Sequence, residues 1–200
     1  MAAAAVGLII AAGGANAAPP SGNGKPAAPP AKATNLARLL EEISLAAPAD
    51  RRGAADAFVS AALGAKMDAV IDAALPALDD YRDEQRYYAL VGLGAAGLAS
   101  MENGEKMLEI AFVLVAGLAD REASVRAAAA ATLALIQPAP PEWAVAALIE
   151  LLGDPNPRVA SAAMRALERM PANDAGFEAA YSAFDGDNSA NRSRAARLLG

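Results

Sequence analysis

Neither histidine nor cysteine occurs in the 200 residues of this chain. The first absence removes the usual general base near neutral pH, and the second removes the thiol nucleophile and any disulfide. Together they exclude imidazole and thiolate metal sites, and no cofactor is expected. Aromatic residues are scarce, at four Phe, four Tyr and one Trp. Surplus positive charge is absent too: 17 Lys and Arg stand against 23 Asp and Glu, a net charge of −6. Such a chain does not carry the electrostatic footprint of a nucleic-acid binder. What it has in abundance is alanine, the best helix former and a residue that lets helices approach closely. The length suffices for one domain with a sizeable buried core.

The chain divides by composition. Residues 1–17 are apolar and uncharged, and Ala15-Asn16-Ala17 offers the small-x-small pattern of a signal-peptidase site. This stretch reads as an export signal, although it lacks a basic n-region; a disordered leader and an uncleaved anchor are the alternatives. Residues 18–34, rich in proline, alanine and glycine, read as an extended tether. Residues 35–200 form the folded domain. There apolar residues recur at helical spacing and no strand-like alternation emerges. Met67 to Leu78, Lys106 to Leu118 and Trp143 to Leu152 each carry an apolar stripe, and each precedes a second helical run.

An internal repeat emerges from the stretch DREASVRAAAAATLALI, residues 120–136. Leu-x-Asp occurs at Leu78/Asp80, Leu118/Asp120 and Leu152/Asp154. Six residues after each Asp come Arg86, Arg126 and Ala160, and seven further on come Leu93, Leu133 and Leu167. A fourth copy ends in Arg192 and Leu199 with Gly186 in place of the aspartate, and a worn first copy places Asp56 at the arginine position. Positions 86, 126, 160 and 192 are separated by 40, 34 and 32 residues. A helix pair repeated at that period predicts an all-α chain, an α-solenoid of about four to five antiparallel helix pairs.

The segment AVAALIELLGDPNPRVASAAMRALERM, Ala144 to Met170, resembles a HEAT repeat, in particular the short bacterial HEAT-like kind. In that family the first helix ends in Leu-Leu-x-Asp, and a tight turn leads to a Val-Arg start of the second. Val125-Arg126 matches that start, Val159-Ala160 keeps the valine, and Asn191-Arg192 keeps the arginine. The resemblance covers residues 66–200, weakly extended to 35. It implies a ladder of hydrogen bonds between neighbouring repeats, carried to Asp80, Arg86, Asp120, Arg126 and Asp154. The aspartates also stand where they can cap the second helices. A structural role is therefore expected for these charges rather than a catalytic Asp/Arg pair.

The expected function is a non-catalytic scaffold binding a protein partner on its curved surface, with the second helices lining the inner side. Placing Val159, Ala163 and Leu167 inward leaves Ser161, Arg165 and Glu168 outward. The equivalent step exposes Tyr87 and Val91 in an earlier unit, and Arg194 and Arg197 in the last. Trp143 reads as a packing or interface residue. The competing class is an enzyme. Gly92-x-Gly94-x-x-Gly97 matches the dinucleotide-binding fingerprint after Tyr88-Ala89-Leu90-Val91, although Asn103-Gly104 would break the required helix and no further strands follow. Some bacterial HEAT-like proteins resemble phycobilin lyases, but no residue here points to that chemistry. The last helix, Asn191 to Leu199, lacks the polar features of a cap, so the expectation is a truncated copy of a longer repeat protein or an end covered by a partner.

Overall fold

A computed structural model describes residues 35–99, 104–135 and 142–169. Among these residues there are eight α-helices and no strand. They are α1 (Asn35–Leu45), α2 (Arg51–Gly64), α3 (Met67–Leu78), α4 (Asp83–Ala99), α5 (Gly104–Leu118), α6 (Ala123–Leu133), α7 (Glu142–Glu150) and α8 (Pro157–Arg169). A single 3₁₀ turn, Leu151–Gly153, follows α7. The helices form four pairs, α1/α2 to α7/α8, within the expected four to five.

Each helix follows from its apolar spacing. In α1, Leu36, Leu40 and Ile43 fall on one stripe and are buried. In α3, Met67, Val70, Ile71 and Ala74 do the same. Pro76 supplies no N–H near the end of α3, and the helix stops two residues later. Helix α8 is the most clearly two-sided: Val159, Ala160, Ala163 and Ala166 are buried, whereas Arg158, Ser161, Arg165, Glu168 and Arg169 are exposed.

The second helix of each pair packs on the next, α2 on α4, α4 on α6 and α6 on α8. Small residues allow this close approach. Ala127 to Ala130 of α6 are all buried. A Cβ added at Gly94 of α4 would lie 2.6 Å from Thr132 Cγ2 of α6, and one at Gly92 would lie 2.6 Å from Phe58 Cζ of α2. The glycine-rich motif therefore marks contacts between stacked helices. Tyr88 to Val91, the strand required by the dinucleotide reading, continues the same helix as the glycines. Without a strand–turn–helix junction, no backbone N–H array can approach a pyrophosphate there. Helix α5 begins at Gly104, and Asn103 of the expected Asn103-Gly104 break lies outside the described residues.

Helix α4 touches α1, α2, α3, α5 and α6. Being covered on nearly every side, it buries every residue from Ala89 to Gly97.

Candidate functional site

The charges at the pair junctions form a repeated unit. Arg86 donates from Nε to Asp120 Oδ2 at 2.7 Å and from Nη2 to Asp120 Oδ1 at 3.0 Å. One unit later Arg126 does the same to Asp154, at 2.7 and 3.1 Å. The remaining nitrogen, Nη1, returns to the arginine's own unit: Arg86 reaches the Asp80 carbonyl at 2.9 Å and Arg126 the Asp120 carbonyl at 2.7 Å. Each guanidinium thus joins its own turn to the carboxylate of the next turn. Both carboxylate contacts use the parallel two-bond geometry that favours arginine over lysine.

The aspartates also shape the turns. Asp80, Asp120 and Asp154 each accept the backbone N–H two residues on, from Arg82, Glu122 and Asn156, at 2.9, 2.8 and 2.8 Å. This corrects the expectation of a helix cap. The accepted N–H precedes the first helical residue, as in an Asx turn, and α6 has no side-chain cap at its N-terminus. Asp120 and Arg126, six apart in sequence, meet through the aspartate carbonyl rather than its carboxylate.

Electrostatics follow this geometry. Burial opposes ionisation of Asp120 and Asp154, yet the guanidinium bonds and the turn N–H hold both carboxyls below the usual carboxylate range. Asp80 is lowered chiefly by Arg82 of its own turn, whose Nε and Nη2 each bond it at 3.0 Å. No arginine of α2 reaches Asp80 in the way Arg86 reaches Asp120. Asp56, which the sequence frame put at the ladder position of the first unit, is exposed. Arg51 pairs instead with Glu84 at 2.9 Å. The Arg86 and Arg126 guanidiniums are held firmly charged by hydrogen bonds to Asp120 and Asp154.

The contact residues expected on the second helices divide sharply. Ser161, Arg165 and Glu168 are exposed on α8. Tyr87 and Val91 are not available as contacts, being 7% and 0% exposed. The frame taken from α8 fails on α4 because α6 packs on that side: Gly94, two turns along the stripe from Tyr87, lies against Thr132 of α6. Burial also pushes the Tyr87 hydroxyl strongly up, away from any acid–base role near neutral pH. Arg192, Arg194, Arg197 and the expected C-terminal end lie outside the described residues.

A second surface was legible in the sequence only at Trp143, read there as a packing or interface residue. Leu108 and Phe112, one helical turn apart on α5, are 54% and 71% exposed, and Trp143 at the start of α7 is 43% exposed. The Phe112 and Trp143 rings meet edge to face with centroids 6.0 Å apart. These residues lie off the buried α5 stripe of Met107, Ile110, Leu114 and Leu118. That offset was the available signal, but α5 is so apolar that periodicity alone does not separate the two stripes. Among the described residues no cluster of acidic side chains is arranged to hold a metal ion, and no helix is long and apolar enough to cross a membrane.

Stacked antiparallel helix pairs joined by a repeating turn define a helical-repeat solenoid. Residues 112–200 match the family model for HEAT repeats. A crystallised engineered protein is similar in fold, with 22% identity and a TM-score of 0.50 over 84% of this chain and 78% of its own. A second engineered protein matches at 21% identity and a TM-score of 0.49, over 84% and 80% of the two chains. A designed armadillo repeat protein matches at 19% identity and a TM-score of 0.47, over 82% and 80%. No curated protein matches the chain.

Proposed function

We propose that this chain is a non-catalytic scaffold that holds a protein partner against the outer face formed by its first-type helices. The observation that carries this reading is the exposed group Leu108, Phe112 and Trp143, in a chain with only nine aromatic residues, four Phe, four Tyr and one Trp. Large apolar side chains gathered on a surface and ringed by polar groups are characteristic of protein contact sites, and aromatics dominate their binding energy. The ladder charges are committed to joining repeats, which leaves them structural. The exposed α8 residues Ser161, Arg165 and Glu168 offer a secondary contact edge. The N-terminal sequence supports export of the chain, which N-terminal sequencing of the mature protein would test.

Photocrosslinking in the source cells tests the docking reading. A crosslinker at position 108 should capture a defined protein, and Phe112→Glu should abolish the capture. Identical capture by the native chain and the Phe112→Glu variant would sink the proposal.

A further inference from the structure

The outer face is predominantly acidic. Helices α3, α5 and α7 lie along one side, with α3 joined to α5 by the Lys106–Asp68 ion pair and α5 to α7 by the Phe112–Trp143 contact. Their exposed residues include Asp68 and Asp72 on α3, Glu109 on α5 and Glu150 on α7, and the exposed Lys66 and Asp79 flank the two ends of α3. Among the described residues none of these helices carries an exposed lysine or arginine; Lys106 is half-buried in its pair with Asp68. The exposed arginines of the second-type helices, Arg52, Arg158, Arg165 and Arg169, lie outside this face. Glu109 adjoins Leu108 and lies about one turn from Phe112, so the apolar group sits on a face with an excess of carboxylates.

We infer that this face takes a basic amphipathic helical segment of a protein partner, with its aliphatic side on Leu108, Phe112 and Trp143 and its lysines or arginines among the carboxylates. The inference rests on the docking reading above and adds the chemistry of the partner. Because the surface is wholly helical, it has no strand edge with which an extended peptide could pair through its backbone. Recognition must therefore run through side chains, and a helix presents an apolar stripe and a charged flank together. Charge of opposite sign steers the approach and excludes acidic competitors. A second copy of the chain fits less well, because its own apolar group is flanked by the same excess of carboxylates and its exposed α8 residues, Arg158, Ser161, Arg165, Glu168 and Arg169, offer no large apolar group to cover Phe112.

The test uses the full chain and a synthetic peptide of about eighteen residues with leucine on one helical face and lysine on the other. Trp143 is the sole tryptophan, so its emission reports events at the patch directly. Binding should shift that emission to shorter wavelength. Phe112→Ser should weaken binding at least about tenfold. Asp72→Lys combined with Glu109→Lys should weaken it by about threefold or more, most visibly at low salt. Arg52→Ala, on the exposed side of α2, should leave it unchanged. A glutamate-for-lysine peptide that binds equally, or indifference to the Asp72 and Glu109 changes, overturns the basic partner while leaving the docking surface standing. Absence of any emission change with the lysine peptide also overturns the inference. So does an emission shift that follows protein concentration without peptide, since a second copy would then be the occupant. Loss of capture at position 108 is judged separately and bears on the docking reading alone.

Discussion

Arg86 and Asp120 belong to different repeats yet share two parallel hydrogen bonds, of 2.7 and 3.0 Å, while the same arginine bonds the carbonyl of Asp80 in its own turn. One side chain therefore fixes the position of two turns. Arg126 repeats the arrangement between Asp120 and Asp154. Removing either arginine leaves a half-buried carboxylate without its charged partner and frees a turn carbonyl. Arg126→Ala should cost about 1–3 kcal/mol, and Arg86→Ala, with the more buried side chain, should cost no less. Arg165→Ala on the exposed side of α8 should cost less than about 0.5 kcal/mol. Urea melts that rank Arg165 with the ladder arginines would refute this assignment.

The aspartates make a related prediction with the same turn geometry. Asp80→Ala removes a carboxylate bonded within its own turn, whereas Asp120→Ala also removes the link to Arg86. The second variant should therefore be the less stable, by about 1 kcal/mol or more. Equal losses would mean that the inter-repeat bonds contribute nothing beyond the turn.

Acid should weaken the ladder. Asp80, Asp120 and Asp154 have carboxyls lowered in the fold, while an unfolded aspartate titrates near about 3.9. Between those limits the unfolded chain binds more protons, so the contribution is present above about pH 4 and is lost as pH falls through the folded values. Glu84 acts in the opposite sense: burial and neighbouring Asp83 raise its carboxyl, so its contribution is present at low pH and is lost as pH rises through that raised value. Three groups outweigh one below about pH 4, and stability should fall there. In Arg126→Ala, Asp154 loses its main charged partner and the fall should be shallower. Melts at about pH 3 and about pH 6 for both chains provide the check.

The fold and the ladder were legible because a repeat puts the same residue types at the same interval; Asp80, Asp120 and Asp154 carry the frame in one dimension. Which face of each helix meets water was less legible, since it depends on what covers that helix. Tyr87 and Val91 were placed outward by analogy with Ser161 and Arg165, but α6 packs against the corresponding side of α4, where Gly94 meets Thr132. A signal was available: ALVGLGAAG, residues 89–97, has no charged or polar side chain, and a helix apolar all round is a buried helix. The Leu108–Phe112–Trp143 group was hidden for the converse reason. In a helix as apolar as α5, an exposed stripe has the composition of a buried one.

Gly94 offers a test of packing against propensity. Alanine is better than glycine in a helix by about 1 kcal/mol, so propensity alone favours Gly94→Ala. Its new Cβ would lie 2.6 Å from Thr132 Cγ2, on a stiff β-branched side chain between two packed helices. Gly94→Ala should therefore destabilise, by about 1–3 kcal/mol. Thr132→Ala removes the obstructing methyl together with a buried hydroxyl that lacks a hydrogen-bond partner. The double variant should recover at least the stability of the native chain. Gly53→Ala, with open space around the added carbon, should stabilise by up to about 1 kcal/mol. A stable Gly94→Ala single variant would show that α4 and α6 approach less closely than described.

If Phe112 is exposed for a partner, its removal should hardly affect folding. Phe112→Ser exchanges a largely solvated ring for a small polar group, giving up only its contact with Trp143. The expected change is less than about 0.5 kcal/mol in denaturant melts. Leu114, two residues away on the buried side of the same helix, sets the contrast. It is fully buried, and Leu114→Ala should cost about 2–5 kcal/mol through lost apolar burial and the cavity left behind. Comparable destabilisation by the two substitutions would place the Phe112 ring in the core of the solenoid and leave the outer face without its principal anchor.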